Sequence, residues 1–288
     1  MTTLGYLGPK GTFTEVAYHH YVHTHQLDCT PVIAESMHHL FSLFKSNACD
    51  GIVFPVENSI EGVVSCTMDL TVENKHGHIT EEIILPIKHC LLSQKNTQKK
   101  DITHILSHTQ ALAQCSSYIQ HHFPNAQLLP VASTATAASW VSDTQLRPGN
   151  LQNCTCAAIG NEGLSSLYDL HIIDDTINDI SSNQTRFFVL SHNETHATGH
   201  DKTSIVFTTK KNVPGSLFMV MEEFYTREIN LTHIASRPQK SHLGEYLFFI
   251  DFEGHQSDNL VKDVLKAIKE KTLTLTILGS YKKGKVPC

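Results

Sequence analysis

The stretch Gly51-Ile-Val-Phe-Pro-Val-Glu-Asn-Ser-Ile-Glu-Gly62 decides how the rest of the chain is read. Its first half is a short apolar run rich in β-branched and aromatic residues, the pattern of a strand covered on both faces. The run leads directly into Glu57, Asn58 and Ser59, a carboxylate, an amide and a hydroxyl where apolar continuation would be the default. Unpaired buried polar groups cost about 1–3 kcal/mol each, so this cluster needs partners from the fold or from a ligand. Glu61 and Gly62 read as capping and turn residues.

The same design recurs on both sides of that strand. Leu4–Leu7 and Cys156–Ile159 are short apolar strands, and helical patterns at Leu40, Phe41 and Phe44, or at Leu112, Cys115 and Ile119, lie between such runs. Alternating strands and helices predict an α/β fold with a mainly parallel sheet, whose ligand sits beyond the carboxyl ends of the strands. The polar loops fall at those ends. Gly8-Pro-Lys-Gly-Thr-Phe-Thr-Glu15 offers backbone N–H groups and the Thr12 and Thr14 hydroxyls to an anion, or simply a glycine turn with Thr14 as cap. Ser107–Cys115 opens a helix with His108 and Gln110 in its first turns. Ser133-Thr-Ala-Thr-Ala-Ala138 places Ser133 and Thr134 at a helix start, where the partial positive charge favours a carboxylate. Asn183-Gln-Thr-Arg-Phe187 adds a hydroxyl at Thr185, a guanidinium suited to bidentate carboxylate pairing at Arg186 and a flat wall at Phe187.

A polar run, Ser191–Asp201, follows the strand Arg186–Leu190 and reads as a linker. Beyond it come a strand (Thr203–Thr208), a helix opened by Pro214 with Leu217, Val220, Met221 and Phe224 on one face, and strands Leu231–Ser236 and Glu245–Phe252. A helix capped by Ser257 or Asp258, carrying Leu260, Val261, Val264, Leu265 and Ile268, and an alternating strand, Thr272–Leu278, complete the chain. The order β-α-β-β-α-β is the ferredoxin-like arrangement.

Composition narrows the function. The 288 residues are 40 % hydrophobic and 17 % charged, with a net charge of −6, so no global basic field attracts nucleic acid or anionic lipid. No run approaches the roughly 18 apolar residues of a membrane span, and Met1–Gly5 has no signal-peptide character. The expectation is a cytoplasmic protein without membrane or nucleic-acid partners. The eight cysteines have no C-x-x-C pair and read as reduced thiols, and the four N-x-T triplets as coincidence. Twenty histidines occur without metal-ligand spacing, so no metal and no cofactor is expected. There is neither a dinucleotide fingerprint nor a nucleophile elbow. Chemistry would rest on hydrogen bonds, one carboxylate and one arginine.

In order and spacing, GPKGTFTEVA, PVENSIEG, SHTQALAQC, STATAA, AAIGNEGLSSLYDL and NQTRFFVL closely resemble prephenate dehydratases, and VPGSLFMVMEEF and ASRP resemble the ACT regulatory domain that family usually carries. The resemblance spans about residues 4 to 280. It implies a catalytic domain over 1–192, with two lobes like type II periplasmic binding proteins, and an ACT domain over 200–280. It further implies decarboxylative dehydration of prephenate to phenylpyruvate in phenylalanine biosynthesis without a cofactor.

In that scheme Thr185 is tied to protonation of the departing hydroxyl, and Glu57 is the alternative acid if burial raises its pKa. Asn58, Ser59 and Gln110 hold the substrate hydroxyl or pyruvyl group, Arg186, Ser133 and Thr134 receive carboxylate, and Phe187 packs the ring. Phenylalanine is the implied feedback effector, bound between paired domains of a homodimer or homotetramer near Gly215, Leu217, Asn230, Leu231, Ser236 and Arg237. The chain departs from the family at Ala235, where glutamate is common, and at Gly215-Ser-Leu217, where G-A-L is common. The missing carboxylate beside Arg237 bears on effector strength and identity. Two alternatives stand beside this reading: an arogenate dehydratase, with Gln184 placed to influence the choice, and a non-catalytic two-lobed sensor of small anions.

Overall fold

A computed structural model describes residues 2–74, 76–211, 213–239 and 245–285. The first lobe contains β1 (Thr2–Leu7), α1 (Phe13–Thr24), β2 (Cys29–Ala34), α2 (Met37–Lys45), β3 (Gly51–Asn58), the short β4 (Gly62–Val63), α3 (Ser65–Glu73) and β5 (His78–Pro86). The chain then crosses into a second lobe. Its elements are β6 (Cys90–Ser93), β7 (His104–Ser107), α4 (Thr109–Gln114), α5 (Ser116–His122), β8 (Gln127–Pro130), α6 (Thr134–Ser142), β9 (Cys156–Gly160), α7 (Gly163–Leu167) and β10 (His171–Asp174). A second crossover returns it to the first lobe as β11 (Gln184–Ser191).

The second lobe is a five-stranded sheet, β10-β6-β9-β7-β8, and the first contributes β5-β11-β3-β1-β2. Neither is mainly parallel. β1 pairs in parallel with β2 and β3, whereas β11 runs antiparallel to β3 and β5, and the other lobe repeats this mixture. Helical crossovers build the parallel half, and the strands flanking the two inter-lobe passages enter from the opposite direction.

Local details also differ from the sequence reading. The Leu112–Ile119 pattern is two helices, not one: the chain breaks at Cys115, and Asp179 accepts from the Ser117 and Tyr118 N–H groups to cap the new start. Thr12, not Thr14, caps α1, its hydroxyl accepting from Glu15 N.

The remaining chain forms β12 (Asp201–Thr209), α8 (Ser216–Tyr225), β13 (Leu231–Pro238), β14 (Tyr246–Glu253), α9 (Asn259–Lys271) and β15 (Thr272–Lys282). This is a βαββαβ unit with antiparallel pairs in the order β15-β12-β14-β13. Pro214 does not open α8. It precedes Gly215, which caps the helix with φ +84°, a value that favours glycine. Leu260, expected on the apolar face of α9, is half exposed, while Val261, Val264 and Ile268 are buried.

The polar run after Ser191 is a loop, but it does not separate independent bodies. β15 pairs with β5 at Lys282 and Glu81, so both units share one ten-stranded sheet. Phe54 and Phe188 of the first lobe and Val206, Phe249 and Tyr281 of the C-terminal unit belong to one apolar cluster. Each large side chain buried there contributes about 1.5–3 kcal/mol. Among the described residues no helix is long and apolar enough to cross a membrane. The seven described cysteines are unpaired, and Cys288 lies outside the described residues.

Candidate active site

A cavity of about 280 Å³ opens between the lobes at the carboxyl ends of their parallel strands. Leu7, Thr12, Phe13, Asn58 and Thr185 line it from the first lobe, and His89, His108, Gln110, Gln114, Ser133 and Thr134 from the other side. Thr12 caps α1 and Ser133 caps α6, so two helix N-termini meet the cavity wall and make it attractive to anions. Ser133 Oγ accepts from Thr136 N at 2.9 Å. The lobes touch beside the opening, where Asn161 of the second lobe donates from Nδ2 to Gly11 O at 2.7 Å. Gly11 has φ +87°, and a Cβ there would lie 2.4 Å from Leu164 Cδ2.

The floor is a connected set of buried amides. Asn58 Oδ1 accepts from the backbone N–H groups of Ile60 (3.0 Å) and Glu61 (3.1 Å), which fixes its Nδ2 as the donor end. Nδ2 then donates to Thr185 Oγ1 and to Asn183 Oδ1, each at 2.9 Å. Because Thr185 Oγ1 accepts from Asn58, the Thr185 hydroxyl hydrogen remains for a group in the cavity. Ser59 does not line the cavity. It accepts from Gln184 N at 3.0 Å and reaches Asn183 Oδ1 at 3.4 Å, bracing this floor from below.

Thr185 and Arg186 are neighbours on β11 and, by the alternation of a strand, face opposite sides. The Arg186 guanidinium therefore points away from the cavity, into the C-terminal unit. Nη1 donates to Asp251 Oδ2 at 2.5 Å and to Glu82 Oε1 at 3.3 Å, and Glu82 also accepts from Lys202 at 2.8 and 3.0 Å. Burial is the largest single influence and disfavours the arginine's charge, but Asp251, Tyr281 and Glu82 together hold the guanidinium pKa above its ordinary value. Glu57 shares this fate beside Asn58. Its Oε2 lies 3.5 Å from His233 Nδ1 and 3.4 Å from Arg186 Nε. Hydrogen bonding to His233, helped by Arg186, holds its carboxyl below the usual value against the opposing effect of burial. Phe187 faces the same side as Thr185 but lies in the core with Tyr6, Tyr18 and Ile83. No carboxylate among the described residues lines the cavity.

Sequence reasoning missed His89, Gln114 and Asn183. Asn183 Nδ2 donates to Gln114 Oε1 at 2.9 Å, and His89 Nε2 lies 3.2 Å from the same oxygen. Burial pushes the His89 imidazole below the ordinary histidine value and favours the neutral ring, against the opposing hydrogen bond of Gln114. Phe13 supplies the aromatic wall once expected of Phe187, its ring edge-on to His89 with centroids 5.6 Å apart. Among the described residues no group of three or more His, Cys, Asp or Glu side chains is placed to hold a metal.

The model of the family described as prephenate dehydratase matches residues 4–195. The chain is 36 % identical to the prephenate dehydratase of Methanocaldococcus jannaschii, over 96 % of each protein. The chain belongs to the prephenate dehydratase family. It is also 38 % identical to the bifunctional chorismate mutase/prephenate dehydratase of Pseudomonas aeruginosa, over 98 % of this chain and 73 % of that one. The prephenate dehydratase of Arthrobacter aurescens, solved in complex with L-Phe, superposes with a TM-score of 0.87 at 31 % identity, covering 98 % of this chain and 90 % of that one. As a prephenate dehydratase the protein is a lyase that removes water and carbon dioxide.

For this prephenate dehydratase the roles implied for Arg186, Glu57 and Phe187 are corrected by the geometry above: none of the three reaches the cavity. Thr12, Asn58, Gln110, Ser133, Thr134 and Thr185 do. The C-terminal residues divide as well. Gly215 and Leu217 line a second cavity of about 360 Å³, together with Lys210, Lys211, Phe218 and Phe248. Asn230 and Leu231 lie at the other end of that unit, because Leu231 pairs with Phe252 while Phe248 pairs with Phe207 near the end of β12. Arg237 and its neighbour Ser236 do not line that cavity either. Arg237 instead bridges to Asp69 on α3, at 3.3 and 3.1 Å.

Proposed function

We propose that the inter-lobe cavity binds prephenate and converts it to phenylpyruvate, carbon dioxide and water, with Thr185 donating to the departing hydroxyl. The observation that carries this reading is the Asn58–Thr185 pair. A hydroxyl whose oxygen is occupied by an amide donor presents its hydrogen to the cavity. When the ring carboxylate leaves as carbon dioxide, its bonding electrons flow through the diene and expel the ring hydroxyl, and one proton completes water. An aliphatic hydroxyl is too weak an acid to protonate a neutral alcohol beforehand. Its hydrogen bond strengthens as hydroxide character develops, the Asn58 amide supports the negative charge shared with Oγ1, and a proton from solvent completes the balance and leaves Thr185 neutral for the next turnover. The two helix N-termini and the Ser133, Thr134 and Gln110 side chains receive the substrate's carboxylates in place of Arg186. Aromatisation drives the reaction, so holding the diene in place supplies much of the catalysis.

The C-terminal unit is the regulatory part of this reading. An ACT-type domain would take phenylalanine against Gly215 and Leu217 of one copy and Asn230 and Leu231 of a second, because these pairs lie at opposite ends of a single unit. The L-Phe complex of the Arthrobacter aurescens relative supports this effector. The test follows the alkaline ultraviolet absorbance of the phenylpyruvate enol. Thr185→Val should lower kcat by about 10²–10⁴-fold, the range for losing a positioned proton donor. Phenylalanine titrated into the wild-type assay should inhibit. Wild-type turnover by Thr185→Val removes the role of Thr185, and no effect of saturating phenylalanine removes the regulatory half.

A further inference from the structure

The amide floor has a direction, and that direction ends on an unpartnered atom. The Ile60 and Glu61 N–H groups fix Asn58, Asn58 Nδ2 fixes Asn183 Oδ1, and Asn183 Nδ2 fixes Gln114 Oε1 as an acceptor. An acceptor at Gln114 Oε1 requires a proton on His89 Nε2, 3.2 Å away. In the neutral ring Nδ1 is then a bare lone pair. His89 Nδ1 is buried without a partner, His89 is 3 % exposed, and the residue lines the cavity. It lies on one inter-lobe crossover and is held by the other: its N–H donates to Asn178 Oδ1 at 2.6 Å, and its carbonyl accepts from Ile177 N at 2.9 Å. Gln114 Nε2, buried and equally without a partner, is the matching donor.

On the reading that the substrate is prephenate, its two carboxylates and ketone only accept hydrogen bonds. The ring hydroxyl carries its single donor. We propose that His89 orients the substrate by accepting that hydroxyl's hydrogen at Nδ1, which leaves the oxygen lone pairs for the Thr185 hydroxyl. No proton is transferred to His89. It selects the molecule, and the face of the ring, that places the leaving oxygen between an acceptor and a donor.

The test uses tetrahydroprephenate, which keeps the hydroxyl but cannot aromatise, and its O-methyl ether, with dissociation constants measured by calorimetry. The wild type should bind the alcohol roughly ten- to a hundred-fold more tightly than the ether, the scale for a buried hydrogen-bonding group left unpaired. His89→Gln retains a donor toward Gln114 and removes Nδ1, so its ratio should fall close to one. His89→Asn places an amide oxygen where Nδ1 was and should recover much of the preference. A wild-type ratio in His89→Gln, or a ratio in His89→Asn no higher than in His89→Gln, overturns the proposal. A wild type that turns over prephenate yet binds alcohol and ether alike overturns it while leaving the substrate reading intact. A wild type with no prephenate turnover overturns both.

Discussion

Arg186→Met separates the two roles open to this arginine. The structure buries its guanidinium against Asp251 and Glu82, 2.5 and 3.3 Å away, with Glu57 at 3.4 Å from Nε. Methionine matches much of the apolar stem and removes the charge. Glu82 then keeps Lys202, at 2.8 Å, and Asp251 keeps the Ser204 hydroxyl, at 2.6 Å, but one carboxylate in this region has lost its cation. Removing one side of a buried pair costs about 3–5 kcal/mol, and the remaining lysine places the expectation near the lower end, about 3 kcal/mol. For a chain of this size each kcal/mol is worth about 2–4 °C, so calorimetric melting should fall by about 6–12 °C. Adding Asp251→Leu removes the stranded charge and should recover part of that loss, the coupling expected of residues in contact. kcat should fall too, because Thr185 is the next residue on the same strand. An arginine that grips a substrate carboxylate behaves differently: KM rises steeply while melting stays within a degree of the wild type. That outcome would refute the placement of Arg186 between the two units.

The acid side of stability tests Glu57. Its folded pKa is depressed, so its contribution is complete above the unfolded glutamate value of about 4.3 and disappears as pH falls through the lower folded value. Glu57→Gln should therefore reduce stability at pH 7 and flatten the loss seen below about pH 4.3 in urea titrations, and an unchanged acid limb would count against the His233 and Arg186 contacts. Gly11→Ala acts on the contact between lobes. The added methyl would sit 2.4 Å from Leu164 Cδ2, at a φ of +87°. It should raise KM several-fold with a stability loss of about 1–3 kcal/mol, and wild-type kinetics would show that the lobes need not meet there.

Much of the architecture was legible because its signals are local. The apolar run at Gly51–Pro55 and the alternation in Thr272–Leu278 need no tertiary knowledge to be seen as strands, and β3 and β15 are where those patterns place them. The site was legible as a set of loops and less so as a set of side chains. A strand permits Thr185 and Phe187 on one face and Arg186 on the other, so the alternation rule was enough to doubt that all three shared a ligand. Glu57 and Asn58 part in the same way. Phe187 then lies deeper than Thr185 because β11 runs from the cavity into the core, which alternation does not reveal. His89 and Gln114 carried no local mark. One follows a lysine in a three-residue connection, the other sits at the end of a short helix, and only the folding of both crossovers around them joins them to Asn183. The split between α4 and α5 was likewise invisible, since its cap, Asp179, is more than sixty residues away.

The placement of β15 against β5 has a consequence for how the chain can be shortened. Gly279 passes so close to Ile79 that a methyl group there would fall 2.2 Å from the Ile79 carbonyl oxygen, and Gly284 N donates to Glu82. Cutting the polypeptide before Asp201 would strip the cover from β5 around Glu81, uncovering a strand edge ready to recruit a neighbouring molecule. It would also leave Glu82 and Arg186 facing water on a surface built to be dry. A fragment ending at the apparent linker is therefore a candidate for clumping rather than a minimal catalyst, and the C-terminal third is structural cladding for the first lobe.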